Sequence, residues 1–171
     1  MIEIPDSQSP PSSAAFRSAM RLHIGGISVV TVTATDGECC GITATAFCSL
    51  SDAPPTLIVC VNRNARLANM LQAGKPFAVN LPNANQQEIA RVFGGMTSIR
   101  GRARFGCGSW HRGDNGAPIL RHARASFECI ASELVTHTTH VIVIGTVTHL
   151  RVGARANGAL AYVDGRFLAV A

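Results

Sequence analysis

Apolar positions along this chain recur mostly with a period of two, in short runs bounded by glycine, proline and Asp-Gly. Such runs predict strands. Residues 27–35 are rich in valine and threonine and lead into Asp36-Gly37, a two-residue hairpin signal, so residues 39–47 form the returning strand. Pro54-Pro55 cannot continue a ladder and marks a corner before an apolar strand over 56–61. Residues 77–81 read as a further strand, and 126–134 and 140–151 as two long antiparallel ones. The last hairpin pairs 160–163 with 166–170 across Asp164-Gly165.

Helical spacing occurs in three places. Phe16, Ala19, Met20 and His23 follow Ser12 or Ser13 as a cap and stop at Gly25-Gly26. Leu67, Met70 and Leu71 follow Asn64 and stop at Gly74-Lys75-Pro76. Ile89, Val92 and Phe93 follow Asn83 or Asn85 and stop at Gly94-Gly95. Residues 96–117 are glycine-rich and charged, a loop with room for one short strand. The pattern predicts a mainly β chain, a closed or nearly closed antiparallel barrel with a few peripheral helices. The helices are too few, and wrongly placed, for alternating β-α-β units.

Composition narrows the function. At 171 residues the chain fits one domain, over 12–171, behind a flexible proline- and serine-rich leader over 1–11. Its formal charge is +5, yet it has no long lysine or arginine run, and aromatic residues are only 5%. Nucleic-acid binding is therefore not expected. The diffuse positive charge suits a small anionic molecule, although for any single arginine a plain solvated surface is the better reading. The six cysteines include no C-x-x-C pair. Residues 1–13 contain no apolar signal region, and no apolar stretch reaches the roughly 20 residues that span a bilayer. The expectation is a cytoplasmic protein with reduced thiols and no membrane association.

No G-x-G-x-x-G follows a strand and no G-x-x-x-x-G-K-[ST] exists, so the common nucleotide loops are absent. The distinctive stretch is Gly41-Ile42-Thr43-Ala44-Thr45-Ala46-Phe47-Cys48-Ser49-Leu50-Ser51, ahead of the twin prolines. Gly41, Thr43, Ala44 and Thr45 lie on or just after a strand. The alternating N–H and C=O groups of a strand edge match the polar edge of an isoalloxazine ring. Ser49 and Ser51 sit in a bend where amides and hydroxyls can gather round a phosphate. Arg63 and Arg66 open the next helix, a favourable place for an anion. The same residues are also compatible with a half-exposed threonine-rich strand and a serine turn.

The chain resembles the short-chain flavin reductases, which supply reduced flavin to two-component monooxygenases. The resemblance runs from Phe16 to Phe167. It includes Phe16-Arg17-Ser18-Ala19-Met20, the stretch from Gly41 to Ser51, Pro54-Pro55, Cys60-Val61-Asn62-Arg63, Phe77-Ala78-Val79-Asn80-Leu81, Gln86, Phe93-Gly94-Gly95, Trp110, Pro118-Ile119-Leu120, Cys129, His140 and Gly145. The reductases of 4-hydroxyphenylacetate hydroxylases and of pyrimidine-degradation oxygenases are the most similar in pattern. The resemblance implies an FMN-binding split β-barrel, antiparallel with Greek-key connections, working as a homodimer. It implies an NAD(P)H:flavin oxidoreductase, with FMN or FAD as flavin and NADH or NADPH as hydride donor, serving a partner monooxygenase through diffusing reduced flavin. Thr43, Ala44 and Thr45 would line the isoalloxazine, together with Gly41. Ser49, Leu50 and Ser51 would hold ribityl or phosphate groups, with Asn62, Arg63 and Arg66 near the phosphate. Asn80 and Gln86 would lie close to the flavin. His140 matches the histidine of the family's Gly-Asp-His motif, beside the nicotinamide. Thr138-Thr139 replaces Gly-Asp, and Asn64 stands where the family has serine.

The competing function is a flavin carrier or electron-transfer module on the same barrel, since binding a flavin does not require binding a nicotinamide. An FMN-dependent oxidase acting on a small substrate is a further reading, weakened by the lack of an acid–base pair near the cradle. His137 and His140 are spaced H-x-x-H, but residues three apart on one strand face opposite ways, so no metal site is expected. Trp110 either covers a cofactor or anchors a loop, Tyr162 either approaches a nicotinamide or packs in the core, and Arg100, Arg102 and Arg104 alternate on a possible strand, either as a solvated face, the favoured reading, or as a field that attracts an anionic dinucleotide.

Overall fold

The computed structural model describes residues 10–154 and 158–170. Two short helical turns and three α-helices decorate twelve strands. In chain order these are α1 (Ser13–Met20), β1 (Gly25–Gly26), β2 (Ser28–Thr33), β3 (Cys39–Ala44), β4 (Phe47–Asp52), β5 (Pro55–Asn62), α2 (Arg66–Met70), β6 (Pro76–Leu81), α3 (Gln87–Phe93), β7 (Trp110–Arg112), β8 (Pro118–Leu120), β9 (Ala125–His137), β10 (His140–Val152), β11 (Ala159–Val163) and β12 (Arg166–Val170), with 3-10 turns at Ala84–Gln86 and Gly101–Gly106.

Seven strands form one antiparallel sheet in the order β3-β2-β6-β9-β10-β5-β4. Hairpins supply three of its pairings. The others, β2 with β6, β6 with β9 and β10 with β5, join strands far apart in sequence. Both ends of the ladder, β3 and β4, are consecutive in the chain, and no ladder joins them among the described residues. The expected mainly β, antiparallel architecture with few helices is present. Its wall stays open along one seam, and Thr45 and Ala46 cross that seam.

The inner face carries the core. Val30, Val32, Leu57, Val59, Val61, Phe77, Val79 and Val143 are buried there, and Leu67 and Leu71 of the α2 segment pack into it. Burial alternates along β5 and the first half of β10, as period-two sequence demands. Gly145 is fixed by close approach: a Cβ there would lie 2.4 Å from Phe77 Cζ. A second cluster places Val92 and Phe93 of α3 against Val29.

Several sequence expectations change. Helix α1 ends at Met20 rather than at the glycine pair, which is itself strand β1, and none of its residues is buried. The strand expected over 39–47 breaks at Thr45 and Ala46 into β3 and β4. Asn64 does not cap α2; instead its amide donates to Asn62 Oδ1, closing a turn. Arg102 and Arg104 lie on a 3-10 turn and not a strand, with Arg100 as its capping residue. His137 and His140 face each other across the β9–β10 hairpin. A hairpin turn makes residues three apart direct neighbours, so the opposite-face argument against shared ligation fails, and both side chains are simply solvent-exposed. Most of the expected leader, residues 1–9, lies outside the described residues. No described helix is long and apolar enough to cross a membrane.

Candidate functional site

The seam and the corner beside it bring together part of the expected site. Strand β3 ends at Ala44, because its register with Ser28 ends there. Among the described residues the amides of Thr45 and Ala46 donate to no acceptor, while the Ala46 carbonyl accepts from the Cys60 amide at 2.9 Å. That bond sets the seam two residues from Asn62, where β5 ends. Asn62 pairs across the ladder with His140. The chain after β5 is tied to the β9–β10 turn twice: the Arg63 amide donates to the Thr139 carbonyl at 3.0 Å, and Arg63 Nη1 donates to the Thr138 carbonyl at 3.1 Å. Thr45, Ala46, Asn62, Arg63 and His140 thus share one solvent-facing rim, with free amides at one end and a guanidinium at the other.

The turn has its own signature. Thr138 has φ 47°, a left-handed conformation that a β-branched residue adopts at a cost. Its neighbour Thr139 places Oγ1 2.9 Å from His140 Nδ1. That hydroxyl pairs with the ring nitrogen and orients the imidazole.

Other expected residues serve the fold. Gly41 is buried, and glycine is required there because a Cβ would meet Phe93 Cε1 at 2.6 Å. Thr43 Oγ1 donates to the Ala90 carbonyl of α3 at 2.9 Å. Ala44 is buried in the core, and its carbonyl accepts from Ser28 Oγ at 2.9 Å. Asn80 is wholly buried; its Oδ1 accepts from the Leu120 amide and Ser126 Oγ, both at 2.9 Å, and its amide donates to Val29 O and Thr31 Oγ1 at 3.2 Å. Gln86 closes a capping box with Asn83 and donates Nε2 to the Arg121 carbonyl at 2.8 Å. Asn80 and Gln86 spend these hydrogen bonds inside the protein.

Ser49 and Leu50 are exposed on edge strand β4, where Leu50 is the extra residue of a bulge. Ser51 Oγ accepts from the Ala53 amide in the turn. Ser49 pairs with Leu57, five residues from Asn62, so it lies roughly 17 Å along the strand from the rim. Arg66 forms an ion pair with Glu38.

All six cysteines are free. Burial pushes the Cys129 thiol up to about 12 and raises Cys60, whose neighbour Cys48 raises it further. These groups stay protonated near neutrality and act as small apolar side chains. Sequence reasoning missed Ala46 and the Thr138 and Thr139 carbonyls, because backbone groups leave no residue-type signal.

The flavin reductase like domain matches residues 20–171. The 4-hydroxyphenylacetate 3-monooxygenase reductase component of Pseudomonas aeruginosa is 35% identical over 152 residues, 89% of each chain. An FMN reductase (NADH) RutF of Agrobacterium fabrum is 37% identical over 155 residues, 91% of this chain and 87% of the other. Among solved structures, the NADH:FAD oxidoreductase SgcE6 of Streptomyces globisporus C-1027 superposes with a TM-score of 0.83 at 30% identity, covering 99% of this chain and 95% of that one.

Proposed function

The chain belongs to the flavin reductase-like domain family, and from this we propose that it passes hydride from NADH or NADPH to FMN or FAD and supplies the reduced flavin to a partner monooxygenase. Relatives named as an FMN reductase (NADH), an NADH:FAD oxidoreductase and a monooxygenase reductase component support each part of this reading.

The observation that carries the site is the meeting of the seam with the Asn62, Arg63 and His140 corner. Two unspent, adjacent amides suit the carbonyl and nitrogen edge of an isoalloxazine, and Arg63 suits its phosphate. The residues present therefore fit a flavin. When bound, the flavin supplies the hydride-accepting ring. The Thr45 and Ala46 amides would hold the ring edge, and Thr45 also lines an adjoining crevice with Phe16, Arg21, His23 and Tyr162. Arg63 would fix the anionic tail, whereas Ser49 lies on the other side of the seam and Arg66 is paired with Glu38 at the far end of β3. His140, oriented by Thr139 Oγ1, positions the nicotinamide, and no general base is required.

We read the protein as a cytoplasmic homodimer with its domain over 12–171. Ile58, Cys60, Ile142 and Ile144 form a half-buried apolar strip on the outer face of β5 and β10, next to Val135, which is 40% exposed. A second copy covers such a strip. Light scattering at micromolar concentration checks this, and a monomer mass would remove it.

The function is tested by following nicotinamide absorbance with FMN, FAD and riboflavin. Turnover with either nicotinamide is expected, and His140→Ala raises the nicotinamide KM more than it lowers the hydride-transfer rate. Tight flavin binding with no nicotinamide oxidation would make the protein a carrier, and unchanged constants in the variant would remove the role of His140.

A further inference from the structure

A cavity of about 630 Å³ opens at the far end of β3 from the seam, between the β2–β3 turn, the Gly101–Gly106 turn and the β7–β8 hairpin. This volume lies in the range of small-molecule sites. Strand β3 spans six residues, so cavity and seam are about 20 Å apart. The family reading does not use it.

Its walls are built rather than incidental. Thr33 Oγ1 donates to the Gly116 carbonyl at 3.0 Å and Thr31 Oγ1 to the Pro118 carbonyl at 2.7 Å, fastening the hairpin over β2. Phe105 and Trp110 line one side, with ring centroids 5.2 Å apart, and each packs on Phe93. Trp110 Nε1 is spent on the Cys107 carbonyl at 2.9 Å, so the indole is locked in place.

The charge on the cavity is positive. Arg102 and Arg112 both line it, and among the described residues neither forms an ion pair. The acid on the rim, Asp36, already accepts the Glu38 amide at 2.9 Å in the turn. His111 also lines the cavity, and its buried Nδ1 has no hydrogen-bond partner among the described residues. Burial, and then Arg121 and Arg151, hold that imidazole below its ordinary value, so at neutral pH it adds a polar atom without adding charge.

We propose that this cavity is a second ligand site, taking a planar ring that bears an anionic group, with the ring against Phe105 and Trp110 and the anion between Arg102 and Arg112. Edge-to-face packing holds the ring. Guanidinium forks match carboxylate and phosphate oxygens alike. An aromatic carboxylate and a mononucleotide share this chemistry. The site is independent of flavin reduction and stands whether or not that reading holds.

Trp110 is the chain's one tryptophan, so its emission reports on the site directly. The titration uses AMP and benzoate, with inorganic phosphate and adenosine as half-ligands, and isothermal calorimetry repeats it in case the indole is spectroscopically silent. AMP or benzoate binds saturably, and Arg102→Ala with Arg112→Ala weakens it at least about tenfold, the loss expected from even one charge-assisted contact. Both arginines are exposed, and a melting curve confirms that the double variant folds. Binding of AMP alone identifies a nucleotide site, and binding of benzoate alone an aromatic-acid site. The proposal is overturned if neither binds, if the double variant binds as the wild type does, or if phosphate or adenosine binds as tightly as AMP.

Discussion

Replacing Asn80 with alanine separates a fold role from a flavin role. Its Oδ1 accepts from the Leu120 amide and from Ser126 Oγ, both at 2.9 Å. Leu120 is 2% exposed, so water cannot take over its amide. Leaving that donor unsatisfied costs about 1–3 kcal/mol. The Ser126 hydroxyl can rotate, and its loss adds about 1 kcal/mol. The donor side adds little: the Pro118 carbonyl keeps the Thr31 hydroxyl at 2.7 Å, and the amide contact to it is 3.4 Å. The sum is about 3 kcal/mol, which for a chain of this length lowers the thermal midpoint by about 6–12 °C. Circular dichroism measures the midpoint, and flavin fluorescence measures FMN affinity well below it. The expected result is a large fall in midpoint with unchanged affinity. An unshifted midpoint with weakened FMN binding would refute the reasoning and return Asn80 to the flavin site.

Thr138→Gly relieves the left-handed backbone at φ 47° and adds about 0.5–1 kcal/mol of stability, read as a higher urea midpoint; no gain would mean that the turn is not strained. Arg63→Ala weakens FMN binding about tenfold but leaves riboflavin, which has no phosphate, unaffected. Equal losses for both would put the guanidinium elsewhere. His111 titrates below its ordinary value of 6.5 in the folded chain, so the unfolded chain binds more protons in the window between the two values. Stability is therefore full above 6.5 and falls as pH drops through that window. His111→Gln flattens this slope in urea midpoints measured against pH, and an unchanged slope would show that another group carries it.

The strands were legible because alternation is a local property. Residues 56–61 and 141–145 bury every second side chain whichever neighbour they acquire, and Asp164-Gly165 turns the chain between the paired Val163 and Arg166, while Asp36-Gly37 sits in a five-residue connection between Thr33 and Cys39. The candidate site was legible only in part. Thr45, Asn62, Arg63 and His140 meet at one rim, and their residue types announced a polar, anion-holding surface. What folding alone decided is which groups remain free to act there. Asn80 and Gln86 look as ligand-ready in the sequence as Asn62, yet their partners, 40 residues away at Leu120 and 35 away at Arg121, consume them. The seam at Thr45 and Ala46 likewise exists only because β10 chose β5 and β6 chose β2, leaving β3 and β4 unjoined. Hydrogen-bond partners at such separations depend on how the whole sheet closes, and no local spacing of residues encodes that.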